Sequence, residues 1–358
     1  MRQRFRGLRK RKRRGTRITE GAHALQRMKR ILITGGAGYI GSVLTSKLLK
    51  LGFEIVVLDT FFYTDIGVRS LLDHPSLSVV KGDIRDRSAL KASLNGVDCV
   101  IHLAALANDP SAELDPKLTR QINLDSYPAL LDAAVSAGVE RFINLSSIGV
   151  YGINYQKGVT EDDPVNPLTE YARCKALSEA IVKQHNSDRF TTVSLRCGTV
   201  CGWSPRMRLD LSTNTLAAYA ICNKKLTVWG GDQERPQINL EDATDFIVNL
   251  LSVSSEKIGG RIFNAAGHNT TVREIAETIK EVMNGELELT SGPARNDERS
   301  YNVNSDRIAK ELGFKMTRTI KDAVLDIVLA HERGLWSDPD EALYHNVKQM
   351  RSMRAAAV

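Results

Sequence analysis

Two groups of side chains near the middle of the chain have the residue types and spacing for removing a proton from a hydroxyl. Tyr171 and Lys175 lie four residues apart in a segment, residues 168–184, whose apolar spacing predicts a helix, so both side chains share one helix face. A phenol with a pKa of about 10 is a weak base at neutral pH, but a nearby cation favours the phenolate. The pair predicts a general base, Tyr171, whose pKa Lys175 lowers.

Ser146 and Ser147 directly follow residues 142–145, an apolar run that predicts a buried strand. A hydroxyl at the carboxyl edge of a sheet can hydrogen-bond a substrate oxygen while Tyr171 takes its proton. Each feature alone is more typical of a turn or of an incidental surface contact. The prediction of a catalytic site therefore depends on whether the same chain also binds a cofactor.

A glycine-rich turn supplies that evidence. An apolar strand ends at Thr34, and Gly35-x-x-Gly38-x-x-Gly41 then opens a helical segment that continues to Lys50. Gly35 permits a tight turn, Gly38 lets the backbone approach a pyrophosphate, and Gly41 lets the helix pack against the sheet. The helix N-terminus presents N–H groups and the positive end of the helix dipole to phosphates. The pattern predicts a dinucleotide site.

Asp59 ends a second apolar strand, 55–58, about twenty residues beyond the turn, where a carboxylate accepts both ribose hydroxyls of the adenosine. This carboxylate would repel a 2′-phosphate, and the next arginine along the chain is Arg69. The sequence therefore favours NAD over NADP. The alternative is a solvent-exposed aspartate that merely ends a strand.

Positioning these residues requires repeated βα units. Apolar runs at 77–80, 99–103, 142–145 and 192–195 alternate with helical segments such as 114–137 and 168–184, which predicts an α/β fold with a doubly wound parallel sheet. The expected organisation is a cofactor-binding domain at 28–195, a smaller, mainly substrate-binding α/β lobe at 196–335, some of whose segments return to the sheet, and a C-terminal tail at 336–358.

The positive charge is concentrated at the start of the chain. Residues 1–27 contain eleven Lys or Arg against the single acid Glu20, whereas the whole chain carries +7, so the remainder is mildly acidic at −3. We interpret 1–27 as a disordered basic arm. Three interpretations of this arm stay open. It tethers the protein to nucleic acid or to a membrane surface, it directs the protein to an organelle, or it has no role because translation starts at Met28.

The remaining composition excludes several classes of protein. The longest apolar runs fall well short of the roughly 18 residues of a transmembrane helix, and no signal-peptide core follows the basic start, which predicts a cytoplasmic protein without membrane attachment. The five cysteines form no C-x-x-C pair and predict neither a disulfide framework nor a metal site.

Five ordered motifs carry a family resemblance over about residues 28–330. They are Thr34-Gly35-Gly36-Ala37-Gly38-Tyr39-Ile40-Gly41, Gly82-Asp83-Ile84-Arg85-Asp86, His102-Leu103-Ala104-Ala105, Ser146-Ser147-Ile148-Gly149-Val150-Tyr151-Gly152 and Tyr171-x-x-x-Lys175. In order and spacing they resemble the extended short-chain dehydrogenase/reductases, and most closely their branch of sugar-nucleotide epimerases and dehydratases. The resemblance implies a Rossmann sheet, NAD as the cofactor and a nucleotide-diphosphate sugar as the substrate.

The resemblance also implies roles for individual residues. The implied catalytic residues are Ser147, Tyr171 and Lys175. The implied cofactor-binding residues are Gly35, Gly38, Tyr39, Ile40, Gly41, Asp59, Asp83, Ile84, Leu103, Ala104, Ala105, Asn123 and Lys175, with Asn123 as a buried polar residue behind the site. The implied substrate-binding residues are Ser147, Thr199, Arg235 and Arg299, the two arginines holding the diphosphate.

Two departures from the family pattern restrict the expected reaction. The dehydratases and decarboxylases carry an acidic residue in one or both of the positions after the catalytic Ser/Thr, where this chain has Ile148 and Gly149, so both reactions are disfavoured. Thr199 stands where many epimerases have an asparagine that touches the diphosphate, which leaves the nucleotide open.

The expected activity is NAD-dependent oxidation and reduction at a ring hydroxyl, C4, of the sugar, as in UDP-glucose 4-epimerisation. The alternatives are a 4-dehydrogenase or 4-keto-reductase with net redox, and a nucleic-acid-associated protein that binds through the basic arm. Apolar residues on more than one face of the helices at 114–137 and 168–184, together with the resemblance, predict a homodimer.

Overall fold

The structure of the chain is a computed structural model that describes residues 28–154, 156–292 and 302–356. The predicted basic arm, 1–27, and the predicted substrate ligand Arg299 lie outside the described residues.

Seven parallel strands form the central sheet, in the order β10-β6-β5-β4-β1-β2-β3. This confirms the predicted doubly wound sheet. Its strands are β1 (Arg30–Thr34), β2 (Glu54–Asp59), β3 (Leu77–Lys81), β4 (Cys99–His102), β5 (Arg141–Ser147), β6 (Thr191–Cys197) and β10 (Arg261–Ala265).

The apolar runs are continuous because the sheet is covered on both faces. Alternate residues of a strand point to opposite faces, so Ile31 and Ile33 pack into one core cluster while Leu32, between them, packs into another. All three side chains are fully buried.

The α-helices of the described residues pack on both faces of the central sheet and in the smaller lobe. They are α1 (Tyr39–Lys50), α2 (Ile66–Arg69), α3 (Arg87–Ser93), α4 (Asp109–Leu114), α5 (Pro116–Arg120), α6 (Tyr127–Ser136), α7 (Glu170–Gln184), α8 (Ser212–Asn223), α9 (Leu240–Ser252), α10 (Ser255–Ile258), α11 (Val272–Val282), α12 (Ile320–Glu332) and α13 (Asn346–Ala356). The predicted helix at 168–184 corresponds to α7. The single helix expected at 114–137 is instead divided into α4 to α6, because Asp115 caps a new start at Pro116 and a π-helical turn, Gln121–Asp125, precedes α6.

The smaller lobe contains two short sheets. In one, β9 (Glu234–Asn239) pairs with β7 (Thr199–Cys201) and β11 (His268–Thr271); in the other, β8 (Lys225–Trp229) pairs with β12 (Glu288–Gly292). In the main sheet, β6 ends at Cys197, and β10, which comes from the lobe region, pairs with β6.

The C-terminal segment, residues 336–356, packs onto the body of the protein. Trp336 is buried and its indole N–H donates to Ile327 O at 3.2 Å, and the Leu209 N–H donates to Tyr344 O at 2.9 Å. Within the described residues, no helix has the length and apolarity to cross a membrane, and no cluster of three or more His, Cys, Asp or Glu is arranged to hold a metal ion.

Candidate active site

A cavity of about 380 Å³ lies at the carboxyl ends of the central strands, where parallel α/β sheets bind their ligands. Its walls come from the glycine turn, the ends of β2 and β4, the end of β5, the first turns of α7 and the loop after β7. The cavity therefore brings together the two groups of residues that the sequence could only suggest were neighbours, the glycine turn and the pair Tyr171 and Lys175.

Close backbone contacts explain the glycines of the turn. Gly35 has a φ of +72°, and a Cβ there would lie 2.7 Å from the Ala104 nitrogen. A Cβ on Gly41 would lie 2.2 Å from Gly35 O, so this glycine lets α1 close onto the turn itself rather than onto the sheet. Among the described residues no side chain caps α1 at Gly38, which leaves the N-terminus facing the cavity beside Tyr39 and Ile40.

The Asp59 carboxylate connects two parts of the cofactor wall. Its oxygens accept the Ala37 N–H at 3.0 Å and the Phe61 N–H at 2.8 Å, which ties the glycine turn to the end of β2. Burial raises the pKa of Asp59 above its ordinary value, against the effect of both hydrogen bonds. Asp59 also lines the cavity.

The next two segments of the cofactor wall follow β3 and β4. Asp83 and Ile84 line the cavity, with the Asp83 carboxylate held by Arg85 at 2.7 Å, which lowers the pKa of Asp83. Leu103, Ala104 and Ala105 line it as well.

Asn123 lies behind the cofactor wall and does not line the cavity. Its side chain is buried, and it donates to Leu106 O and accepts from the Leu106 N–H, both at 2.9 Å. These two bonds occupy the amide, so Asn123 positions the loop after β4 rather than contacting the contents of the cavity. The prediction of a buried polar residue behind the site describes this arrangement better than its grouping with the cofactor ligands.

The two serines after β5 have different surroundings. Ser146 Oγ donates to the Glu179 carboxylate at 2.5 Å, and Glu179 forms a buried ion pair with Arg196 at 2.8 Å. Ser147 Oγ accepts the Gly149 N–H at 3.1 Å, and the Ser147 hydroxyl acts to lower the pKa of Tyr171 against the larger effect of burial, which raises it. Ser147 is therefore the serine beside Tyr171.

Tyr171 and Lys175 lie on the cavity-facing side of α7, whose N-cap Thr169 accepts the Ala172 N–H. Burial is the main cause that raises the pKa of Tyr171 above its ordinary value, and the nearby Asp109 carboxylate raises it further. The Lys175 ammonium lies 5.9 Å from the centre of the Tyr171 ring and donates to Leu145 O at 2.7 Å. Burial lowers the pKa of Lys175 to about 8.

The expected lowering of the Tyr171 pKa by Lys175 is thus not seen. The physical reason is that removing the phenolate from water by burial raises the pKa of Tyr171 by more than Ser147 and Arg208 lower it.

The predicted substrate residues divide between two locations. Thr199, at the start of β7, lines the cavity. Arg235, on β9, is not one of the described residues that line it, and its Nη1 donates to Glu234 O at 3.1 Å. Because Arg299 lies outside the described residues, the two-arginine clamp stays a prediction.

Three charged residues of the wall escaped sequence analysis: Asp109, Arg206 and Arg208. Arg208 pairs with Asp210 at 2.8 Å, and Asp109 accepts the Thr169 hydroxyl at 2.6 Å. The only signal for the arginines was their spacing, two apart in the loop after β7, which carries no motif by itself.

One cavity contains the glycine turn, the carboxylate at the end of β2, and a serine, a tyrosine and a lysine. This combination is typical of enzymes that use a dinucleotide to oxidise or reduce a hydroxyl. The chain belongs to the NAD-dependent epimerase/dehydratase family, whose model matches residues 31–266.

Relatives in this family act on different nucleotide sugars. The chain is 28% identical over 316 residues to the UDP-glucose 4-epimerase of Lactobacillus helveticus, covering 83% of this chain and 94% of the relative. Its structure is similar to that of DesIV, a dTDP-glucose 4,6-dehydratase from Streptomyces venezuelae with NAD bound, at 26% identity and a TM-score of 0.77, covering 87% of this chain and 100% of that one. It is also similar to MoeE5 in complex with UDP-glucuronic acid and NAD, at 26% identity and a TM-score of 0.74, covering 85% and 99%.

NAD is the cofactor of this chain, and the cavity fits it. The glycine turn leaves room where any Cβ would collide, the uncapped N-terminus of α1 suits a diphosphate, and the Asp59 carboxyl suits a ribose without a 2′-phosphate.

Proposed function

We propose that this protein is an NAD-dependent 4-epimerase of a nucleotide-diphosphate sugar, with Ser147, Tyr171 and Lys175 as its catalytic residues. The observation that carries the proposal is the convergence of these three side chains on the cavity that also contains the glycine turn and Asp59. The relatives that are UDP-glucose 4-epimerases support the substrate class.

In this mechanism Tyr171 is the base for the C4 hydroxyl of the sugar. Ser147 bonds both to the phenol and to the sugar oxygen, so it holds the hydroxyl in line for proton removal and later supports the carbonyl oxygen. NAD, when bound, would supply the hydride acceptor and, in its reduced form, the hydride donor. Tyr171 would hold the proton taken from the hydroxyl and return it when the sugar is reduced again.

Loss of water from the sugar needs a further acid or base beside the reacting carbons. The residues after Ser147 begin a short 3-10 turn, Ile148–Tyr151, and neither Ile148 nor Gly149 moves a proton, because neither side chain has a titratable group. This favours an epimerase over a dehydratase, although DesIV, a dehydratase, shares the fold.

Product analysis tests the proposal. Purified enzyme is incubated with UDP-glucose, dTDP-glucose and UDP-glucuronic acid, and the products are identified by mass and by NMR of the sugar ring. We expect a C4 epimer of unchanged mass and no accumulation of NADH. A product lighter by one water would instead identify a dehydratase, and stoichiometric NADH a dehydrogenase.

We also propose a homodimer through α6 and α7. Val135 and Leu177 leave about half of their side chains exposed, 48% and 50%, on these neighbouring helices. A Leu177→Glu variant should be monomeric by light scattering at concentrations where the unmodified protein is a dimer, because a charge buried in an apolar interface is costly. A monomer at micromolar concentration before any substitution would contradict the proposal.

A further inference from the structure

Arg206 is a buried cation whose immediate partners are uncharged. Its side chain is 3% exposed, its guanidinium lies 4.9 Å from the centre of the Tyr63 ring, and Nη2 donates to the Asn346 side-chain oxygen. Within the described part of the chain no carboxylate lies within 4 Å of its guanidinium, whereas Arg208 pairs with Asp210. Asp210 and Asp59 act on its charge only from a greater distance. A buried cation with no carboxylate in contact is expensive, so this position indicates a site for an anion.

The loop that carries Arg206 is fixed to the cofactor helix. The Tyr39 phenol of α1 donates to Gly202 O at 2.7 Å, and Ser204 Oγ donates to Tyr39 O at 2.7 Å. Ser42 and Ser204 also share a hydrogen bond at 2.8 Å. Because all of these bonds are buried, the position of Arg206 relative to the helix N-terminus is set by the fold.

The C-terminal segment holds the other side of the same loop. Asn346 donates its backbone N–H to Asp210 at 3.0 Å while its side chain accepts from Arg206. Farther along α13, Arg354 pairs with Asp115 at 2.9 Å, at the start of α5. The segment therefore lies over the cavity from the Arg206 loop to the helices that follow β4.

Arg206 faces the cofactor half of the cavity. It lines the same wall as Asp59 and the glycine turn, and its charge acts to lower the pKa of Asp59. Burial and the neighbouring Arg208 lower its own pKa to about 10, so it stays a cation at neutral pH. Between Asp59 and the N-terminus of α1, the anionic part of NAD is the diphosphate.

We propose that Arg206 binds the diphosphate of NAD together with the α1 N-terminus, and that Asn346 and the C-terminal segment hold the Arg206 side chain in place. The inference deepens the proposed function, because it assigns further residues of this chain to the cofactor site.

Cofactor binding tests this without reference to activity. Three full-length proteins are stripped of cofactor: the original, its Arg206→Gln variant and an Arg273→Gln control. NAD is then titrated into each, and the dissociation constants are compared. Arg273 is a half-exposed arginine paired with Asp232 away from the cavity. We expect Arg206→Gln to weaken NAD binding roughly 10- to 100-fold, the loss typical of one charge-assisted bond, and Arg273→Gln to leave it unchanged.

Further outcomes separate the alternatives. Asn346→Ala, which leaves the charge in place, should raise the rate at which NAD is released on gel filtration and have a smaller effect on the dissociation constant. An Arg206→Gln protein that folds, judged by its melting temperature, and binds NAD within twofold of the original would overturn the proposal. Weaker binding of UDP or dTDP with NAD unaffected would overturn it too, by assigning Arg206 to the substrate. Because these are binding measurements, they hold whether or not the enzyme is an epimerase.

Discussion

The cofactor side of the cavity and its substrate side differ in how directly the chain encodes them. On the cofactor side, the glycine turn, Asp59 and the residues after β3, β4 and β5 each follow a strand of the central sheet. Parallel strands bring their carboxyl ends to one edge of the sheet. Once the strands are predicted from the sequence, the residues of the cofactor wall are therefore largely predicted too. On the substrate side, Arg208 comes from a loop that no strand pattern locates, and Arg235 is not among the described residues that line the cavity.

The difference shows that a functional motif can be recognised in the sequence when strands and helices position its residues. Where a loop is held by distant contacts, such as the bonds of Ser204 to α1 and of Leu209 to Tyr344, the same residue types carry no recognisable pattern. Four experiments sharpen or break this comparison.

The largest effect is expected at Tyr171. Tyr171→Phe removes the proposed base but keeps the ring, so activity should fall by roughly 10²- to 10⁴-fold while NAD binding persists. Steady-state rates and an NAD titration measure the two quantities separately. Near-full turnover would remove Tyr171 from the mechanism and weaken the reading of the whole cofactor side.

The neighbouring serines give a matched pair. Ser147→Ala should lower the rate by roughly 10²- to 10³-fold, because it removes a hydrogen bond to the reacting oxygen. Ser146→Ala should act mainly on stability, by about 1–3 kcal/mol in urea unfolding, since it removes a buried bond to Glu179. The opposite pattern of rates would assign the catalytic hydroxyl to Ser146.

Lys175 should make stability depend on pH. Its pKa is about 8 in the folded protein against an ordinary 10.5, so between these values the unfolded chain binds more protons and stability rises with pH. Relative to Lys175→Met, stripped of NAD, the original protein should gain roughly 1–3 kcal/mol of unfolding free energy from pH 8 to 10.5. A difference that stays flat with pH would mean that the ammonium is well solvated.

The smallest effects should distinguish the arginines of the substrate side. We expect one of UDP, GDP, CDP and dTDP to raise the melting temperature most, because a ligand of the folded state stabilises it. Measured against each variant's own ligand-free melting temperature, Arg208→Ala should reduce this shift more than Arg235→Ala, since Arg208 lines the cavity. A larger loss in Arg235→Ala would restore the clamp that the family resemblance implied.

Much of this protein was determined by local sequence alone. The spacing of apolar residues predicted the central strands, and the glycine spacing predicted a dinucleotide site beside them. Both predictions were possible because the end of a strand and the following helix N-terminus belong to a single βα unit. The order of Ser147, Tyr171 and Lys175 after that unit was sufficient to predict a shared site, and the structure brings all three to one cavity.

Tertiary structure decided what depends on distance and burial. It separated Ser146 from Ser147, because only one of two adjacent hydroxyls meets Glu179 in the core. It reversed the expected direction of the Tyr171 pKa, since desolvation is a property of the packed site and not of the spacing to Lys175. It also brought Arg206 and Asn346, 140 residues apart, into contact over the cofactor wall, a juxtaposition that no local pattern contains because it forms only when the chain has folded.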